Sequence, residues 1–156
     1  MMKLSNKGIA LIKEFEGLRL KAYRDTAGMC TIGYGSTRYH DDKPVRPGDT
    51  LTSELQATSL FSVTLTQYEN AVNKGAKVAL TQNQFDALVS ITYNVGMGIM
   101  QTSTLIKKLN AEDLTGAADQ FLVWNKITDP GTGKKVVSET LTARRKKERE
   151  YFLTHE

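Results

Sequence analysis

Several things are scarce in these 156 residues, and each scarcity excludes something. Cys30 is the only cysteine, so no internal disulfide can form and a reducing compartment is tolerated. No His or Asp partner is arranged around it in sequence, so it reads as a small buried strand residue rather than a nucleophile. The two histidines, His40 and His155, stand far apart without helical or CxxC-type partners, which argues against a metal site. Apolar runs are short: Ile9-Ala10-Leu11-Ile12 falls well below the ~20 residues needed to span a bilayer. Lys13-Glu14 interrupts that stretch, so no signal peptide is expected and the chain should remain where it is made. Repeats and low-complexity segments are absent.

What is present suits an ordinary globular chain of one domain, or two lobes sharing a core: 40% apolar residues, 24% charged and a net charge of +4. The basic excess favours polyanions in general. It is concentrated at Arg144-Arg145-Lys146-Lys147, where Glu148 and Glu150 interleave, and that pattern reads as the solvated face of a terminal helix.

Secondary-structure signals fall into three blocks. A helix is expected from about 5 to 16, with Ser5 as cap and Ile9, Ile12 and Phe15 at three-residue spacing. Residues of about 17–50 are rich in turn formers and carry short β-like runs, which predicts a small antiparallel sheet. The remainder, from about 52, reads as helical. Thr52 could cap a long bridging helix with Phe61, Leu65, Tyr68 and Val72 on one face. Thr81 and Gln84 form a capping box for a helix ending near Asn94 and Gly96. Further helices are expected around 103–109, 112–123 and 140–153, with Asp129-Pro130-Gly131-Thr132-Gly133 as a hairpin tip. The fold class is therefore α+β, a small sheet lobe (about 17–50) and a larger helical lobe (1–16 and 52–156) within one domain. Clefts at such lobe junctions favour substrates.

The densest chemistry lies in Glu16 to Ser36, EGLRLKAYRDTAGMCTIGYGS. Eight residues separate Glu16 from Asp25, and five separate Asp25 from Thr31. A helix end, a turn and a strand can present two carboxyls across a gap, which glycosidic cleavage requires: one acid protonates the leaving oxygen, the other carboxylate works from the opposite side. A proton donor at neutral pH needs a carboxyl in an apolar setting, for which Phe15 and Leu18 are the candidates beside Glu16. Asp25, among Arg24, Thr26 and Gly28, would stay ionised.

This spacing with its glycines resembles the phage-type lysozymes of glycoside hydrolase family 24. The likeness extends through FDALVSITYNVG (Phe85 to Gly96), the run from Ser103 to Leu109, AADQFLVW (Ala117 to Trp124) and RRKKERE (Arg144 to Glu150). It implies a lysozyme-like fold and an endolysin muramidase that cleaves the β-1,4 bond between N-acetylmuramic acid and N-acetylglucosamine in bacterial peptidoglycan, without cofactor or metal. It further implies that Glu16 is the general acid and that Asp25 and Thr31 position the attacking water of an inverting reaction. By the same resemblance Thr37, Tyr93, Asn94 and Thr104 would bind substrate, and Arg144 or Arg145 would turn inward to hold a catalytic carboxylate. The implied partners are peptidoglycan and a holin-type protein that releases a monomeric enzyme from the host cytoplasm, with no nucleic acid involved. Trp124 reads as core rather than as a sugar platform. Ser36 stands where many relatives have His, and Thr140-Leu141 where many have Gly-Leu. A basic binding module with structural carboxylates is the alternative of another class, and a lytic transglycosylase is a further enzymatic one.

Overall fold

The computed structural model describes residues 1–25 and 27–154, so Thr26 and His155 lie outside the described residues. Among the described residues helices dominate, with two small antiparallel sheets: α1 (Asn6–Glu16), β1 (Arg19–Arg24), β2 (Cys30–Gly33), α2 (Glu54–Gly75), α3 (Gln82–Val95), α4 (Ile99–Thr102), α5 (Thr104–Asn110), α6 (Leu114–Phe121), β3 (Lys126–Thr128), β4 (Lys135–Val137) and α7 (Glu139–Leu153). They sort into two compact units, Ala10–Gln67 and Met1–Ile9 with Tyr68–Glu156.

In the Ala10–Gln67 unit, β1 and β2 pair antiparallel, with an irregularity between Arg19 and Tyr23. Isolated bridges Lys21↔Thr50, Ile32↔Ser36 and Arg38↔Pro44 tie the following loop back to this hairpin. Tyr39 closes the loop by donating to Asp49 Oδ2 at 2.6 Å, an oxygen that also accepts from the Arg46 amide at 2.9 Å. Burial and that bond push the Tyr39 phenol up to about 12, while the same bond holds the Asp49 carboxyl below its ordinary value. Ile12, Ile32, Leu60 and Phe61 are buried here, and the Tyr34 and Phe61 rings meet at 5.3 Å. The start of α2 falls one residue later than expected. Ser53 Oγ takes the Gln56 amide at 3.2 Å, and Thr52 instead donates to the Gln56 side chain.

In the other unit, α3 is buried over ten consecutive residues, Asn83 to Thr92, and α7 lies against it. The Thr81–Gln84 capping box forms as expected. Asp129-Pro130-Gly131-Thr132-Gly133 makes the tip of the β3–β4 hairpin. The short α4 was not foreseen. Its four residues are too few to display a period.

The terminal basic run corrects one expectation. Lys146, Lys147 and Glu150 are exposed, but Arg144, Arg145 and Glu148 are buried. Glu148, with no exposure, accepts from Arg144 Nε at 3.2 Å, from Arg145 Nη1 and from the Ser90 hydroxyl. Arg144 also donates to the Ser90 carbonyl at 3.2 Å, and Arg145 to the Trp124 carbonyl at 2.7 Å and to Asn94 Oδ1. A buried carboxylate needs such donors, because an uncompensated charge in the interior is far costlier than a paired one. The side chains that looked like a solvated face thus bind α7 to α3 and to the turn after α6.

Removing the acceptor tests this. Glu148→Ala leaves two arginines buried around an empty acceptor and should lower stability by about 3–5 kcal/mol. In urea unfolding, the midpoint should fall with little change in slope.

Candidate active site

Glu16 is the last residue of α1 and is half-buried. The helix stops there because Gly17 takes φ +72° and its amide returns to the Lys13 carbonyl at 2.9 Å. Phe15 is half-buried as well, and Leu18 is exposed.

Asp25 follows the last residue of β1 and continues the ladder register, its amide donating to the Met29 carbonyl at 2.9 Å. Its Oδ1 accepts the amides of Ala27 at 2.9 Å and Met29 at 2.8 Å. This is an Asx turn, closed by Gly28 at φ +84°. The carboxylate is therefore held at one oxygen, and among the described residues none donates to Oδ2. Thr31 lies on β2 and is 3% exposed. Its hydroxyl donates to the Met29 carbonyl at 2.9 Å, so the proton is committed and the lone pairs remain as acceptors.

Tyr23 pairs with Thr31 across the ladder, and Arg24 with Cys30. Residues directly opposite share a face, and alternate residues along a strand do too, so Tyr23, Thr31 and Asp25 lie on one side of the hairpin. Arg24 takes the other side and donates to the Gly28 carbonyl at 2.8 Å. The Arg19 guanidinium sits 4.5 Å from the Tyr23 ring centroid. Burial raises the Tyr23 phenol above its ordinary value. Arg19 pulls it down, and the Glu16 and Asp25 carboxylates push it up. Both carboxyls of the sequence trio therefore bear on a single phenol. Sequence reasoning gave Tyr23 no role, although it lies in the stretch that carries the family resemblance, two residues before Asp25 on the strand.

The remaining expected residues divide between the units. Thr37 belongs to the hairpin unit, half-buried, its carbonyl accepting from the Val45 amide at 3.0 Å. Tyr93 is half-buried on α3 and packs edge-on against Tyr68, with ring centroids 5.0 Å apart. Asn94 is exposed yet anchored by Arg145. Thr104 is the exposed first residue of α5, capped by Ser103 Oγ, which accepts from the Ile106 amide at 3.1 Å. Cys30 is half-buried on β2, and Trp124 is half-buried after α6. His40 is exposed, 3.5 Å from the Ser59 hydroxyl. Among the described residues, no three His, Cys, Asp or Glu side chains gather as metal ligands would.

The family model described as phage lysozyme matches residues 13–148. An endolysin of Acyrthosiphon pisum secondary endosymbiont phage 1 is 43% identical, over 97% of this chain and 98% of its own. The structure of an endolysin from Escherichia coli O157:H7 phage FAHEc1 superimposes with a TM-score of 0.90 at 49% identity, covering 97% of this chain and 94% of that one. The muramidase domain of SpmX from Asticaccaulis excentricus gives a TM-score of 0.88 at 35% identity over 99% of both chains. The chain belongs to the phage lysozyme family and is a glycoside hydrolase of the lysozyme type. That membership sets aside the reading as a binding module alone.

The Asx turn can be separated from the chemistry. Asp25→Asn keeps an oxygen able to accept both amides, whereas Asp25→Ala removes it. Amide hydrogen exchange at Ala27 and Met29 should stay slow in the first variant and accelerate in the second. Equal protection in both would mean that the turn holds without its carboxylate.

Proposed function

We propose that this phage lysozyme is an endolysin that hydrolyses the β-1,4 bond between N-acetylmuramic acid and N-acetylglucosamine in bacterial peptidoglycan, with inversion at the anomeric carbon. The observation that carries the reading is the pair of acceptors on the hairpin. Asp25 offers an outer carboxylate oxygen while its inner one is pinned by two amides, and Thr31 offers lone pairs while its proton is spent on Met29. A water donating one proton to each would turn its own lone pair toward the sugar. Attack forms the bond from water oxygen to anomeric carbon and breaks the bond to the leaving oxygen. Glu16 gives that oxygen its proton, and Asp25 takes one from the water. Inversion needs the two carboxyls about 6.5–9.5 Å apart, leaving room for that water.

Thr37, Tyr93, Asn94 and Thr104 are proposed to contact the glycan. Arg144 and Arg145 are proposed to hold carboxylates in place, Glu148 being the one they engage within the helical unit. No cofactor enters the scheme. The wall lies beyond a bilayer, and among the described residues no helix is long and apolar enough to cross one. We assign release to a membrane-permeabilising partner of the holin type, with the enzyme waiting as a monomer in the host cytoplasm.

Glu16→Gln keeps the shape of the side chain and removes its proton. The folded variant should clear no zone in a bacterial-wall zymogram, and residual clearing near the wild-type level would remove Glu16 from the scheme. Product analysis tests the rest. A reducing end released first as the α-anomer, seen by NMR, supports the water-positioning pair, whereas a β-anomer would make Asp25 a nucleophile. An anhydro sugar by mass would point to transglycosylation instead. Thr31→Glu should turn the reaction toward retention or a trapped adduct, because a carboxylate then occupies the space of the water.

A further inference from the structure

We propose that Tyr23 is a substrate-contacting member of this site, its hydroxyl donating to the sugar held between Glu16 and Asp25 while Arg19 fixes its ring. This rests on the assignment of Glu16, Asp25 and Thr31 to the reaction. Three observations carry it. The ladder sets Tyr23 opposite Thr31 and on the same face as Asp25, so the ring stands beside the groups proposed to hold the water. The Arg19 guanidinium, 4.5 Å from the ring centroid, restrains the phenol without using its oxygen. Among the described residues that oxygen has no hydrogen-bond partner, although the ring is half-buried. A hydroxyl with no partner among the described residues, on the face proposed to carry the chemistry, is set to bond whatever binds there.

Electrostatics agree with this role. Burial raises the Tyr23 pKa, and the Glu16 and Asp25 carboxylates reinforce the rise against the pull of Arg19. The phenol thus keeps its proton at neutral pH and acts as a donor. A donor near two carboxyls offers a sugar oxygen a bond that neither carboxylate can provide.

The test compares purified wild type, Tyr23→Phe and Glu16→Gln on soluble peptidoglycan chains, with kcat and KM resolved for each. The unfolding midpoint of Tyr23→Phe should match wild type, because the hydroxyl has no hydrogen-bond partner among the described residues. A large fall in midpoint would overturn the proposal by revealing a structural bond at that oxygen. On substrate, Tyr23→Phe should lower kcat by about tenfold to a hundredfold with KM nearly unchanged, the mark of a contact made mainly in the transition state. Wild-type kcat in folded Tyr23→Phe, with Glu16→Gln inactive, would remove Tyr23 and leave the parent reading intact. An active Glu16→Gln would remove the parent reading and the proposal with it.

Discussion

The helical unit depends on one buried charge. Glu148 has no exposure, and its carboxylate is acceptable only because donors converge on it from Arg144, Arg145 and Ser90. The geometry those donors impose reaches further than the carboxylate. Arg145 can serve Glu148, Asn94 and the Trp124 carbonyl together only if α7, the end of α3 and the turn after α6 keep fixed positions. The guanidinium is planar and its donors point in set directions. It therefore converts charge neutralisation into orientation, and Asn94, an expected glycan contact, is held by the same group that neutralises Glu148.

The hairpin works on a smaller scale by the same means. Polar groups are first spent on the backbone, and some accepting capacity remains. Asp25 gives one oxygen to its turn, and Thr31 gives its proton to Met29. Each retains an acceptor whose direction is fixed by the bond already made. Preorganisation of this kind requires no rearrangement when a reactant arrives.

Much of this was legible in the sequence where the signal is local. The capping box at Thr81, the hairpin tip at Asp129 to Gly133 and the helix ending at Glu16 each follow from residues that touch their near neighbours. The spacing of Glu16, Asp25 and Thr31 pointed to the phage lysozyme family, to which the chain belongs. The resemblance implied that one arginine of the Arg144–Arg145 pair turns inward, but the residue pattern alone did not show that both are buried. Four consecutive basic residues look solvated unless the acceptors on α3 are known, and those lie more than 50 residues away in the chain. Tyr23 escaped for a related reason. Its meaning depends on cross-strand register, which a one-residue slip would reverse.

The composition of the two units has a consequence for synthesis. The unit containing the C-terminal helix also contains Met1–Ile9, so the segment Ala10–Gln67 is an insertion within it. Met2 and Leu4 donate their amides to Asn73 and Glu69, and Ser5 donates to Asp86. During synthesis, Met2, Leu4 and Ser5 must therefore wait for partners translated some 65 or more positions later. The inserted segment has all its residues available first and can fold ahead of the unit that encloses it. The order of emergence is the reverse of the nesting: the inner unit is complete before the outer one can close.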